Sequence, residues 1–119
     1  MSEFTITFYE TSDSRCPVEE FINIQDTKMK AKIYRNLLLL EEHGNQLRLP
    51  YSKHLDDGIF ELRTQSAGNI TRILYFFVVG KEIIVTNGFT KKTQETPPSE
   101  IELAKKYRSD YFKQLEESK

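Results

Sequence analysis

The sequence predicts an α+β fold, with an antiparallel, mostly meander β-sheet, N-terminal helices on one face and a C-terminal helix. Three observations predict it: strand-like segments lie at the start and in the middle of the chain, a helical pair separates them, and a helix follows the last strand. Helices that stand outside a run of strands are typical of α+β architectures. The length of 119 residues fits one domain, and we expect residues 1–119 to form it.

The N-terminal part contains one predicted strand and two predicted helices. Residues 5–9 are β-branched or aromatic, which indicates a strand. Pro17 suits the first turn of a short helix. A longer helix begins at Asp26 or Thr27, because apolar residues then recur every three or four positions, and Gly44 ends it. We expect these helices to pack on one face of the sheet.

The middle of the chain changes to a period of two, which is the period of β-strands. Residues 59–64 alternate between apolar and polar, residues 67–69 form a turn, and residues 70–79 form the second arm of a hairpin. A third strand is predicted at 83–87, and Gly88 is expected to end it.

The last predicted helix follows a pair of prolines at 97–98. Ser99 and Glu102 have the spacing of a capping box at its start. With helices on one face of the sheet, the opposite face would stay open, and alternate strand residues would project from it.

Composition excludes several classes of protein. Apolar residues make up 38% and charged residues 29%, which excludes a disordered tail or a fibre. The longest apolar runs, 37–40 and 73–79, are far shorter than the roughly 20 residues that span a bilayer. Cys16 is the only cysteine and no signal peptide is visible, so we expect a cytoplasmic protein without disulfides.

The net charge of −1 conceals a local positive excess. Residues 48–92 carry seven Lys and Arg against four Asp and Glu. A polyanion could bind there while the whole protein stays near neutral. Chance scatter of exposed charges is the plainer alternative.

Glu61, Arg63 and Arg72 form the first candidate site. Glu61 and Arg63 are two residues apart on a predicted strand, so they share one face, and Arg72 lies on the neighbouring strand. An exposed cross-strand ion pair would account for one arginine. It accounts less well for two, because like charges repel unless an anion lies between them.

Phe89, Lys91 and Lys92 form a second candidate. Ammonium groups bind phosphate and an aromatic ring can stack on an unpaired base, which is what RNA recognition requires. The alternative is a solvated lysine pair beside a core phenylalanine.

His54 is a candidate general acid or base, because imidazole titrates near neutral pH. Neither His54 nor His43 has the spacing from Cys16 that a zinc site requires, so we expect no metal. There is also no P-loop, dinucleotide fingerprint or Gly-flanked serine, so we expect no cofactor and no covalent mechanism.

Five short motifs occur in a fixed order between residues 53 and 104. They are Lys-His-Leu at 53–55, Asp-Gly-Ile-Phe-Glu-Leu-Arg at 57–63, Arg-Ile-Leu-Tyr at 72–75, Gly-Phe-Thr-Lys-Lys-Thr at 88–93, and Pro-Pro at 97–98 followed by Glu-Ile at 100–101 and Ala104. This ordered set resembles the RelE/ParE superfamily of toxins, and within it the HigB, phage-derived subfamily of bacterial type II toxin–antitoxin systems.

The resemblance implies a small α+β toxin with a RelE-like fold that cuts messenger RNA in the ribosomal A site and so inhibits translation. It implies a metal-independent endoribonuclease that a HigA-like helix-turn-helix antitoxin silences. Arg63, Arg72, Lys91 and Lys92 match the basic positions of the family and would bind the phosphate.

The proton-transfer groups are less clear, because the Asp-Tyr-His ending of some HigB toxins is absent here. Glu61 or His54 would take the hydroxyl proton, provided that Glu61 is not paired with Arg63. The predicted catalytic residues are therefore Arg63, Arg72, Lys91, Glu61 and His54, and the predicted RNA-binding residues are Lys53, Phe89, Lys92 and Tyr75.

Two alternatives remain open at this point. One is a ParE-like toxin that inhibits a topoisomerase by binding it, without chemistry of its own. The other is a degenerate relative that binds only its antitoxin or a structured RNA.

Overall fold

This computed structural model describes residues 3–90 and 95–118 of the chain. These residues contain five strands and three α-helices. The strands are β1 (Thr5–Phe8), β2 (Ser52–Asp56), β3 (Ile59–Ser66), β4 (Asn69–Val78) and β5 (Glu82–Thr90); the helices are α1 (Pro17–Asn23), α2 (Thr27–His43) and α3 (Pro98–Glu117).

The sheet is mixed, with the spatial order β1-β5-β4-β3-β2. Strands β2 to β5 form the predicted antiparallel meander. Strand β1 lies parallel to β5, so the prediction of an antiparallel sheet is wrong at that edge. The α+β class is confirmed, and the error arises because β1 pairs with a strand about 75 residues away in sequence.

Local signals place the N-terminal helices correctly. Pro17 opens α1, and the side chain of Asp26 accepts a hydrogen bond from the backbone N–H of Met29 at 2.8 Å, which caps α2. Helix α2 ends at His43, with Gly44 in a positive-φ conformation.

Three features differ most from the predictions. The sequence pattern does not predict the short, largely polar strand β2. Strand β5 continues through Gly88 to Thr90, and it stays paired with β4 on both sides of a register shift between Leu74 and Tyr75. The predicted capping box does not form: α3 begins at Pro98, and its N-cap, Pro97, offers no side-chain acceptor.

Helices cover both faces of the sheet, so the expected open face is largely closed. Helices α1 and α2 bury residues such as Ile22 and Ile33 against one face. On the other face, Ala104 of α3 is fully buried against Leu74 and Phe76, and Tyr107 and Tyr111 pack beside it. Sequence alternation defines two sheet faces, but it does not show which of them a distant helix covers. None of the described helices is long and apolar enough to cross a bilayer.

Candidate functional site

A buried carboxylate holds two arginines on adjacent strands. Glu61 of β3 is fully buried, and Arg63 lies directly opposite Arg72 of β4 in the antiparallel register. Arg63 Nε donates to Glu61 Oε2 at 2.6 Å, and Arg72 Nη1 donates to Glu61 Oε1 at 2.9 Å. Each carboxylate oxygen therefore binds one guanidinium group.

Strand alternation explains why these three side chains meet. Ile59 and Glu61 face the α3 side of the sheet, whereas Phe60 and Leu62 face α1 and α2. Arg63 shares the face of Glu61, as predicted. The carboxylate offsets the repulsion between two guanidinium groups that the register brings opposite each other.

Thr96, which precedes α3, completes this cluster. Its hydroxyl donates to Glu61 Oε1 and accepts a hydrogen bond from Arg72 Nη1 at 2.6 Å. Glu61 thus has bonds to both arginines and to Thr96, and the condition that it stay unpaired with Arg63 is not met. A buried carboxylate with these partners positions the arginines, and an incoming hydroxyl group cannot reach it.

The two arginines differ in access to solvent. The Arg63 side chain is 26% exposed, whereas that of Arg72 is 2% exposed. Glu61 engages Nε of Arg63, and no hydrogen bond from its two terminal nitrogens occurs among residues 3–90 and 95–118, so their four N–H groups remain for a ligand. Arg63 is therefore the arginine that can contact a bound anion most directly.

A cationic cleft opens beside this cluster. It has a volume of about 400 Å³ and lies between α2, the segment before β2, and the end of β3. Its lining includes four basic residues, and no Asp or Glu lines it within residues 3–90 and 95–118. The basic residues are Lys32, Arg35, Arg63 and Arg72.

A smaller cleft of about 180 Å³ adjoins the first through Arg72, which lines both. Lys53, His54 and Thr96 also line it. His54 Nε2 accepts a hydrogen bond from the backbone N–H of Gly58 at 3.1 Å, so a neutral His54 carries its proton on Nδ1. The structure thus brings Lys53 and His54 to the same region as the arginines.

Tyr75 does not reach this region, and the prediction that it binds RNA is corrected. It is 1% exposed, packs in the core under α2, and shares a hydrogen bond with Ser52 Oγ. Burial raises the pKa of Tyr75 to about 12, because the phenolate form would lose its hydration in the core. Its place in the strand alternation puts it on the face opposite Arg72.

The remaining predicted site residues are Phe89, Lys91 and Lys92. Phe89 is half-buried and packs against the cluster beneath α3, as the core alternative expected. Lys91 and Lys92 lie outside the described residues. Their described neighbour in sequence, Thr90, pairs with Thr71 beside Arg72.

Sequence reasoning missed four residues of the larger cleft and its surroundings. Lys32 and Arg35 had a usable signal, because they lie off the apolar stripe of α2. Tyr51 and Thr96 had none, since each stands in a short connecting segment whose course depends on tertiary contacts.

Fold and site together define a small α+β protein with a cationic cleft suited to a polyanionic ligand. The sequence model of the family described as "Phage derived protein Gp49-like (DUF891)" matches residues 20–109, about three quarters of the chain. The chain therefore belongs to this family, which is part of the RelE/HigB-like toxin superfamily. No curated protein matches the chain at a significant level. Family membership suggests a phage-derived toxin of the toxin–antitoxin type.

Proposed function

We propose that this protein is the toxin of a type II toxin–antitoxin system and cleaves messenger RNA on the ribosome. The observation that carries the proposal is the pair of arginines held by buried Glu61 at a cleft that no described carboxylate lines. Family membership supports the toxin class. The substrate would place its action in the cytoplasm, and a HigA-like helix-turn-helix antitoxin is the proposed partner.

The proposed reaction is a metal-independent transesterification. A ribose 2′-oxygen attacks the adjacent phosphorus, the bond from phosphorus to the 5′-oxygen breaks, and a 2′,3′-cyclic phosphate and a 5′-hydroxyl end result. Negative charge develops on the non-bridging oxygens, and the terminal nitrogens of Arg63 would stabilise it. Arg72, which is nearly buried, would help to stabilise the same negative charge from the buried side of the site.

Proton transfer is assigned to His54, which lines the smaller cleft, and to Lys91. His54 would accept the 2′-hydroxyl proton at Nε2 after that nitrogen releases the backbone N–H of Gly58, and Lys91 would protonate the leaving 5′-oxygen. Lys53 and Lys92 would hold neighbouring phosphates. Glu61, which is bonded to both arginines, would position them and take no proton.

Removal of the Arg63 guanidinium tests this function directly. We expect Arg63→Gln to lower the rate of messenger cleavage by about a hundredfold or more, because one donor to the developing charge is lost. Cleavage is measured by primer extension on a translated message, with purified protein in the presence and absence of ribosomes. Arg15→Gln is the matched control, since Arg15 is exposed and pairs only with Glu20 among the described contacts.

Cleavage by Arg63→Gln at the wild-type rate would contradict the assignment. Intact messages together with a loss of plasmid supercoiling would instead support the ParE-like alternative, in which the protein inhibits a topoisomerase without cutting RNA. Cleavage in the absence of ribosomes would support nuclease activity and contradict the proposal that it requires the ribosome.

A further inference from the structure

The larger cleft contains more cationic surface than one phosphate requires. We propose that it is a binding subsite for a nucleotide of single-stranded RNA next to the cleaved bond, with Tyr51 stacking on the base and Lys32 and Arg35 binding the backbone phosphate. This inference rests on the proposed function, and it adds a recognition site that the reaction itself does not use.

The residue types in this cleft match the chemistry of a nucleotide. Lys32 and Arg35 are exposed on α2, and the Tyr51 residue is 42% exposed. Cations that follow a backbone together with an aromatic ring for the base are the features of single-strand binding sites. The volume of about 400 Å³ lies within the usual range for small-ligand clefts.

The backbone of Arg63 forms hydrogen bonds to residues on both sides of the cleft. The backbone N–H of Arg63 donates to the carbonyl of Tyr51 at 2.7 Å, and the carbonyl of Arg63 accepts from Asn36 Nδ2 at 3.0 Å. Asn36 also donates to Thr64 Oγ1 at 3.0 Å, and it lies one residue after Arg35 on α2. These bonds therefore fix the backbone at Tyr51 and the turn of α2 that carries Arg35 relative to the proposed catalytic arginine.

The edge of β3 offers groups that can read the base. The peptide groups of Arg63 point away from β4, because they bond to Tyr51 and Asn36. Backbone groups alternate along a strand with a period of two, so those of Gln65 point to the same side. Gln65 also lines the cleft, and its N–H and C=O can donate to and accept from the edge of a stacked base.

The Tyr51 ring should allow the cleft to discriminate between a nucleotide and other polyanionic ligands. An acidic peptide would use the same lysine and arginines, but it has no base to stack on an exposed ring. Loss of the ring should therefore weaken RNA binding and leave the binding of polyglutamate unchanged.

Equilibrium binding of a non-cleavable RNA tests the subsite. A fluorescent hexanucleotide with 2′-O-methyl groups cannot undergo attack by a 2′-oxygen, so its anisotropy reports binding alone. We expect Tyr51→Leu to weaken binding about tenfold, since stacking on one base is lost, and Tyr51→Phe to bind as the wild type does. Tyr34→Leu is the matched control, because Tyr34 is an exposed tyrosine of α2 that does not line the cleft.

The salt dependence of binding tests the phosphate contacts. We expect Arg35→Gln to reduce the slope of log K against log salt concentration by about 0.7, which is the value for one phosphate contact of a single strand. Lys106→Gln makes the same change of charge on the exposed surface of α3 and should leave the slope unchanged. Circular dichroism confirms that each variant is folded.

Two outcomes would overturn the subsite. One is wild-type RNA affinity in Tyr51→Leu, and the other is equal weakening of RNA and polyglutamate binding in that variant, which would show that the ring does not act by stacking on a base. If Arg63→Gln abolishes cleavage while Tyr51→Leu binds normally, the function stands and the subsite fails. If Tyr51→Leu weakens RNA binding while Arg63→Gln still cleaves, the subsite stands and the catalytic assignment fails.

Discussion

Glu61 shows how one buried side chain organises the site. Its carboxylate is fully covered and is bonded to Arg63, Arg72 and Thr96. Buried ion pairs contribute little net stability, because desolvation offsets the attraction, but removal of one partner leaves an uncompensated charge. The main effect of Glu61 is therefore to position two guanidinium groups.

Replacement of this carboxylate should destabilise the fold. We expect Glu61→Gln to lower the free energy of unfolding by about 3 kcal/mol, since two arginines then face each other without a negative charge. Urea denaturation measures the loss, and Glu102→Gln, which alters an exposed pair with Lys105, should change stability by less than about 0.5 kcal/mol. An unchanged urea midpoint for Glu61→Gln would show that the arginines do not depend on the carboxylate.

At the scale of elements, helix α1 depends on a close approach to β5. Gly88 lies in β5, and a Cβ atom added there would stand 2.5 Å from the Phe21 ring of α1. Real Cβ atoms essentially never approach a neighbour so closely. The absent side chain therefore allows α1 to pack directly on the strand that leads to Thr90.

Gly88→Ala should displace α1 from the sheet. We expect a loss of about 1–3 kcal/mol in the free energy of unfolding, which is typical of overpacking. Phe21→Leu removes part of the ring, so the double variant should be more stable than the sum of the two single effects predicts. Additive losses in this double-mutant cycle, measured by urea denaturation, would exclude a steric contact as the cause.

Helix α3 is attached to the sheet by polar contacts as well as by its apolar stripe. Tyr9 Oη donates to Asp110 Oδ2 at 2.5 Å, and Tyr111 Oη donates to Glu82 Oε1 at 3.0 Å. Lys105 pairs with Asp56 of β2 at 2.6 Å. These contacts hold the middle of α3 against the sheet, whereas Thr96, before its first turn, is held by its own hydrogen bonds to Glu61 and Arg72.

At the scale of the whole molecule, three buried or partly buried tyrosines make the stability of the fold depend on pH in the alkaline range. Burial raises the pKa of Tyr75 to about 12, and burial followed by the hydrogen bond to Glu82 raises the pKa of Tyr111 to about 12. The pKa of Tyr9 is raised for the same reasons, with Asp110 as its partner. The folded state therefore holds these phenolic protons more tightly than the unfolded chain does, where the pKa is about 10.

Stability should consequently be complete below about pH 10 and fall as the pH rises towards 12. For Tyr75, which is almost fully buried, we expect a loss of about 1 kcal/mol between pH 9 and pH 11. Urea denaturation at several pH values measures the slope. Tyr75→Phe should make the slope shallower and Tyr34→Phe, at an exposed site, should not; equal slopes in both variants would contradict the assignment.

The sequence by itself determined the helices, the strands other than β2, and the three charged residues of the arginine cluster. The apolar spacing after Asp26 or Thr27 and the stop at Gly44 predicted α2, and the period of two predicted that Glu61 and Arg63 share a face. Such signals are local, since they depend on residues within one turn of a helix or on one hairpin. They also predicted that Arg72 approaches this pair across a short loop.

Only the tertiary structure decided how distant segments meet. It placed β1 parallel to β5, put α3 on the face that was expected to be open, and buried Tyr75 away from the site. It also brought the α2 cations and Tyr51 to Arg63, through hydrogen bonds between elements that are separate in sequence. The physical reason is that periodicity specifies which side of an element is apolar, whereas the partner of that side depends on packing across the whole chain.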